Sequence, residues 1–354
     1  MLQRRWGWYG MWLVSVRDLQ FRARRFVIAI VVVAAVFGIA LAMDGMRRAV
    51  QDEAPAIVDG FDADAWLVAE GATGPFTSTR VLDASVADDV DGARRADPVV
   101  LSRTSIAADT PRDVNLVGYV PGGIGAPRIA EGRAVREPGE VVLSSGTSES
   151  VGDRVTIGGR RFVVVGRSVG GRYYFGVPTA FVDLADAQDI MFKGAPLATA
   201  IAVRGDADAP AGTVRFEDDA VVDDLNRPLQ QGFSSIAITA ALMWLIAAGI
   251  IGLIVYLSAI ERTRDFAVFK ATGAPNRVIV GGLMLQAVMV ALVAAVVGIP
   301  ISRLVALGMP AEAGLVWSSV LQLVLVAIVV GVLASLAAVR KALTTDPAVA
   351  FGGK

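Results

Sequence analysis

Residues 261–277 read ERTRDFAVFKATGAPNR and lie between two long apolar runs, Ile236–Ile260 and Val278–Ile299. Four side chains in the stretch are basic (Arg262, Arg264, Lys270, Arg277) and two are acidic (Glu261, Asp265). A charge at the centre of a bilayer helix costs about 2.5–3.5 kcal/mol, so the stretch is expected outside the lipid, as the elbow between two membrane spans. Phe266, Phe269 and Gly273 are spaced three and four apart, which puts both aromatics on one face of a short helix. Gly273-Ala274-Pro275 stops that helix and turns the chain back. A charged elbow with two aromatics on one side is a handle for a soluble partner. A solvated loop between hairpin helices is the plain alternative.

Outward from the elbow, the composition is that of a membrane protein carrying a large polar domain. Apolar residues make up 54% of the chain and gather in four blocks nearly free of charge. Cysteine and histidine are both absent, which removes disulfides, thiol chemistry, imidazole metal ligands and the commonest general base. The formal charge of −1 conceals an asymmetry: residues 1–25, the elbow and the tail from Arg340 hold 13 Lys/Arg against 4 acids, whereas block 44–232 holds 19 Lys/Arg against 29 acids. Positive charge marks the cytoplasmic side of short membrane loops. Both termini and the elbow are therefore expected in the cytoplasm, and the acidic block outside.

In chain order, residues 1–25 read as an interfacial amphipathic helix, with Tyr9, Trp12, Leu13, Val16 and Leu19 on one stripe. Phe26–Met43 is the first span. Ala40-Leu41-Ala42 offers an A-x-A site, but the run exceeds a signal-peptide core and is read as an anchor. Ala34, Gly38 and Ala42 form a small-xxx-small line suited to close helix approach, a weak pointer to a dimer face. Residues 44–232 form the extracytoplasmic domain. In it Ala65–Ala69, Glu140–Leu143, Val151–Ile157, Arg161–Val165 and Thr199–Val203 read as strands, with Gly158-Gly159 as a hairpin turn. Leu82–Val90 and Ala180–Met191 read as helical. Residues 233–260, 278–300 and 318–339 are the second, third and fourth spans, the second with a further small pair, Ala248 and Gly252. The third ends at Pro300, residues 301–317 form a short outer loop, and 340–354 are a cytoplasmic tail. The fold class is thus an α-helical membrane protein with four transmembrane helices and an α+β extracytoplasmic domain inserted between the first and second. No span holds an ionisable residue, which argues against an ion-coupled transporter or proton pump. No P-loop, nucleophile elbow or zincin spacing occurs.

This layout resembles the MacB/FtsX-type (type VII) ABC transporter permeases, which include the LolC/LolE and DevC-like proteins. The elbow is similar to the family's E-R-x-R-E-x-A-x-x-K-A-x-G-A segment, here Glu261, Arg262, Arg264, Asp265, Ala267, Lys270, Ala271, Gly273 and Ala274, with Asp265 in place of the usual Glu. The phrases EGR (131–133), GEVVLS (139–144), VGDRVTIGGRRFVVVG (151–166) and FGVPTAFVDLADAQ (175–188) resemble the family's core domain, and FDADAWLVAEGATGPF (61–76) resembles its DevC-like branch. Asp346-Pro347-Ala348 is similar to the family's D-P-x-x-A ending.

The resemblance implies a non-catalytic permease in a homodimer or heterodimer. Its partner would be a separate ABC ATPase that binds ATP and Mg²⁺, and this chain would hold no cofactor or metal. It implies that the elbow helix docks on that ATPase. From the residues, Phe266 and Phe269 are the apolar anchors, rimmed by Arg262, Arg264 and Lys270. The expected function is export or extraction of a lipid, lipopeptide, drug or peptide by transmitted movement. An extracytoplasmic adaptor is a further partner the family allows, alongside membrane lipids and without nucleic acid. Two other readings stand beside it: an FtsX-like scaffold that regulates a cell-wall hydrolase, and a membrane-anchored receptor with an idle elbow. The place of the chain in a bacterial inner membrane follows from the same resemblance.

Overall fold

The first helix, α1 (Ala23–Gly60), does not stop where the apolar run ends at Met43 but continues into the polar block, with Pro55 inside it. The computed structural model describes residues 23–107, 111–171, 176–261, 268, 275–308 and 317–343; the expected interfacial helix before Ala23 and the tail beyond Leu343 lie outside these. The chain divides into two compact units, Met1–Arg47 with Phe233–Lys354, and Arg48–Gly232.

The helical unit contains the first part of α1 together with α4 (Gln230–Glu261), α5 (Asn276–Ala306) and α6 (Trp317–Leu343). Three helical segments among the described residues are long and apolar enough to cross a membrane: Phe26–Gly60, Asp218–Glu261 and Val280–Ala306. Helix α6 carries the apolar stretch Val320–Ser335 among its described residues.

Small residues set the helix crossings. A Cβ on Gly38 would lie 2.7 Å from Ile301 Cγ2, and one on Gly298 would lie 3.1 Å from the Ala34 carbonyl, so α1 and α5 meet nearly backbone to backbone. Gly252 of α4 lies against the Ala334 carbonyl of α6, and Gly331 of α6 against Val288 of α5. The small-residue line on α1 is therefore taken up within the chain rather than left for a second copy. Ala40, Leu41 and Ala42 are buried in the same continuous helix. The third apolar helix does not end at Pro300: proline forfeits one intrahelical hydrogen bond, yet α5 continues to Ala306.

The inserted unit is built around strand β3 (Arg95–Ala107), which belongs to two sheets. Numbering the strands in chain order, β1 is Ala65–Ala69, β2 Leu82–Asp83, β4 Arg112–Tyr119, β5 Ile129–Gly132, β6 Glu140–Ser144, β7 Arg154–Ile157, β8 Arg160–Ser168, β9 Thr179–Asp183, β10 Leu197–Ala198, β11 Ala200–Arg204 and β12 Thr213–Phe216. The first half of β3 pairs with β11, which continues to β1 and β12, all antiparallel. The second half starts a ring: β3 to β4, β4 to β9, β9 to β6, β6 to β8, β8 to β7, and β7 back to β3 through Ile106↔Ile157. Strand β5 adds an edge to β8.

Alternation along the strands supplies the cores. Val100 and Ile106, Val114 and Leu116, Ala180 and Val182, Val141 and Leu143, Phe162 and Val164, and Val155 and Ile157 meet in one buried cluster of the ring. Their alternate neighbours Leu101, Val117, Val142 and Phe181 join a second cluster with Ala54, Ile57, Val58 and Phe61. Those four recur at i, i+3, i+4 and i+7, which is why the end of α1 stays helical once the apolar run is over. Strand β1 is buried on both faces, Trp66 and Val68 on one side, Ala65 and Leu67 on the other, matching its unbroken apolar sequence.

The segment expected to be helical from Ala180 splits. Residues Thr179–Asp183 form β9, and helix α2 runs from Leu184 to Phe192. Asp183 is the boundary, because its carboxylate accepts the Ala185 N–H as an N-cap. Leu82–Val90 is a two-residue strand followed by a 3-10 helix at Ala84–Asp89. Helix α3 (Asp218–Asn226) and a 3-10 turn at Arg227–Leu229 lead into α4.

Candidate functional site

The elbow starts from α4 and returns through α5. Glu261 ends α4 at an exposed position, Val268 is helical and half exposed, and Pro275 caps α5 with extended backbone at φ −70° and ψ 144°. Arg262, Arg264, Asp265, Phe266, Phe269, Lys270, Gly273 and Ala274 lie outside the described residues. The aromatic face and the helix bearing it thus stand on the sequence.

The packing that would hold such an elbow is on view below it. Ile251, Val255 and Ala259 of α4 share a buried cluster with Leu283, Ala287 and Val290 of α5. Within that cluster Gln286 Nε2 lies 3.4 Å from Ser258 Oγ, a polar pair among apolar neighbours. Phe37 of α1 meets Trp244 of α4 with ring centroids 5.4 Å apart. The two arms are thereby packed on each other and on α1.

In the inserted unit the phrases singled out by sequence fold into charged clasps on the ring. Arg133 grips Glu140 with both guanidinium arms, one at 2.7 Å, and the same carboxylate accepts the Arg136 N–H at 3.0 Å. The Arg133 bond, then the backbone donors, hold the Glu140 carboxyl down at about 2. Asp186 is fully buried on α2, where it accepts the Gly139 N–H at 2.6 Å and pairs with Arg160 at 2.7 Å. Burial still pushes its pKa up, since removal from water outweighs both partners. Arg160 also binds Asp189, which ties the β7–β8 hairpin to α2. Sequence reading missed these pairs, although Arg133, Glu140, Arg160 and Asp186 all lie in the quoted phrases. Among the described residues no cluster of three or more Asp, Glu, His or Cys is placed to hold a metal ion.

Residues 27–229 match the family model of the MacB-like periplasmic core domain, and residues 237–347 that of the FtsX-like permease C-terminal. The chain belongs to the FtsX/MacB-type ABC transporter permeases. An uncharacterized ABC transporter permease of Mycobacterium tuberculosis (strain ATCC 25618 / H37Rv) is 38% identical over 353 residues, covering 97% of this chain and 100% of its own length. One from Mycobacterium bovis is 38% identical over 348 residues, with the same two coverages. Among solved structures, the periplasmic region of MacB from Actinobacillus actinomycetemcomitans aligns with a TM-score of 0.34 at 13% identity, over 48% of this chain and 95% of that one. The extracellular domain of the noncanonic ABC-type transporter YknZ from Gram-positive bacteria aligns at 0.31 and 14% identity, over 40% and 82%. As an ABC transporter permease the chain is a membrane subunit, and family membership implies an ATPase partner.

Proposed function

We propose that this permease converts ATP binding and hydrolysis by a separate ATPase into movement of its inserted domain, and so exports or extracts a lipid, lipopeptide, drug or peptide. The observation that carries this reading is helical continuity. The chain enters the inserted domain along α1, unbroken from Ala23 to Gly60, and leaves it along a helical path from Asp218 to Glu261. A helix rises about 1.5 Å per residue and resists compression, so a shift at one end is carried to the other.

In this scheme α6 is a fourth span, the inserted domain is extracytoplasmic, and both termini face the cytoplasm. ATP and Mg²⁺ sit in the partner. Two permeases, identical or not, work with two ATPases, and the elbow at 261–277 is the grip. ATP must favour one spacing of the two elbows over another, or no equilibrium moves. Substrate is handed on by the moving domains, since the four spans read from the sequence hold no ionisable residue. We prefer this to an FtsX-like scaffold because the inserted region matches the MacB-like core domain along its length.

The test is the double substitution Phe266→Ala with Phe269→Ala in the full chain co-expressed with its ATPase. The variant is expected to reach the membrane at wild-type level while losing ATPase co-purification at least tenfold. Undiminished co-purification together with undiminished ATP-dependent transport would overturn the assignment of the elbow.

A further inference from the structure

Asp224 lies on α3, just ahead of the helix that leaves the inserted domain, and it is fully buried. Its carboxylate accepts the backbone N–H of Phe76 at 2.8 Å and of Thr77 at 3.2 Å, and the Thr77 hydroxyl as well. Arg227 approaches the same carboxylate at 3.7 Å and donates to the Thr73 carbonyl at 3.2 Å. Gly74 sits at φ +153°, and a Cβ there would run into the Asp224 carboxyl. The segment from Thr73 to Thr77 is thus moulded around one side chain 147 residues away.

Phe76 continues the connection. Its ring stands 6.0 Å from both Phe61 and Trp66, and those two meet edge-on at 5.0 Å. Phe61 is the first residue beyond α1, and Trp66 lies in β1. The points where the chain enters and leaves the domain are therefore joined through Phe76 and Asp224. The phrase FDADAWLVAEGATGPF supplies Phe61, Trp66, Gly74 and Phe76 to this junction, and Phe61 and Trp66 also share a buried cluster with the outer faces of the ring strands.

We propose that Asp224 is a positioning residue for energy coupling: it latches the helix leading into α4 to Phe76, so that displacement of that helix is delivered to β1 and to the end of α1. The proposal rests on the coupling reading above. A carboxylate suits this work because it accepts several N–H and O–H donors at once, in bonds stronger than those of an amide.

The test compares wild type, Asp224→Asn and Thr77→Val, each as the full permease purified with its ATPase, using amide hydrogen exchange with and without ATP. Asp224→Asn is expected to speed exchange at Phe76 and Thr77 at least tenfold. It should also reduce the ATP-dependent exchange change in β1 at least fivefold, with ATPase co-purification and the unfolding midpoint of the ring strands unchanged. Thr77→Val, which removes only the hydroxyl, should fall between the two. An ATP response in β1 equal to wild type in both variants overturns the latch and leaves the coupling reading intact. Absence of any ATP response in the wild-type domain overturns the coupling reading, and the latch with it. Should Asp224→Asn fail to accumulate, Thr77→Val alone decides, and a wild-type response there refutes the latch.

Discussion

Replacing Glu140 by Gln should destabilise the inserted domain at neutral pH by an amount that vanishes in acid. The carboxylate is held by Arg133 and by two backbone N–H groups, and it titrates at about 2 instead of the ordinary 4.5. That displacement sets an upper bound of about 3 kcal/mol. The Arg133 side chain is 40% exposed, so water screens the pair, and about 1–2 kcal/mol is the expected contribution. The sign follows from linkage: a carboxyl lowered by folding adds stability above its unfolded value and loses it as pH falls toward the folded one. The gap between wild type and Glu140→Gln should thus be full above about pH 5, about halved by pH 3, and nearly closed at pH 2. The assay is urea unfolding of the full permease in detergent, with Trp66, fully buried in this domain, retained as the single tryptophan and its fluorescence followed at each pH. A gap below about 0.3 kcal/mol at pH 7, or one that widens in acid, refutes the reasoning.

Other outcomes can be read with the same reporter. Phe162 is buried inside the strand ring, and Phe162→Ala should cost about 3–5 kcal/mol, seen as a lower urea midpoint. Gly159 holds φ +83° in the β7–β8 turn with open space around its Cα; Gly159→Asn should be tolerated, whereas Gly159→Val should lose about 1–2 kcal/mol. Gly38→Leu would force α1 away from Ile301 and Gly298, and overpacking of about 1–3 kcal/mol should lower the detergent melting temperature, while the exposed Leu245→Ala should not.

The sequence disclosed those parts of the fold where a local signal is self-sufficient. Ala65–Ala69 is a short apolar run with no polar break, and Gly158-Gly159 lies between two β-branched runs; both are where they were expected. Long strands with mixed composition escaped. Strand β3 carries Arg95, Asp97, Pro98 and Arg103, which interrupt the apolar alternation that marks a strand. It is a strand because Asp97 accepts the Ile124 N–H at 2.7 Å and because Pro98 falls where β3 is paired on one edge only. The three apolar residues from Ala180 fit helix and strand alike, and only the pairing with β4 and β6 decides between them. At the elbow, the charges and flanking runs tell where the chain turns, whereas the docking face depends on residues the structure does not describe. Asp224 was invisible in advance because its partners are far along the chain.

Strand β3 also constrains how this architecture can be cut and rejoined. Its thirteen residues supply one wall to the closed ring and one to the open sheet, without a hinge between them. A chimera that exchanges the ring for that of a relative cannot splice inside β3 without orphaning hydrogen bonds on both sides of the seam. Transplants should therefore move Arg48–Gly232 as a block. For the same reason, heating should melt ring and sheet together, in a single calorimetric peak.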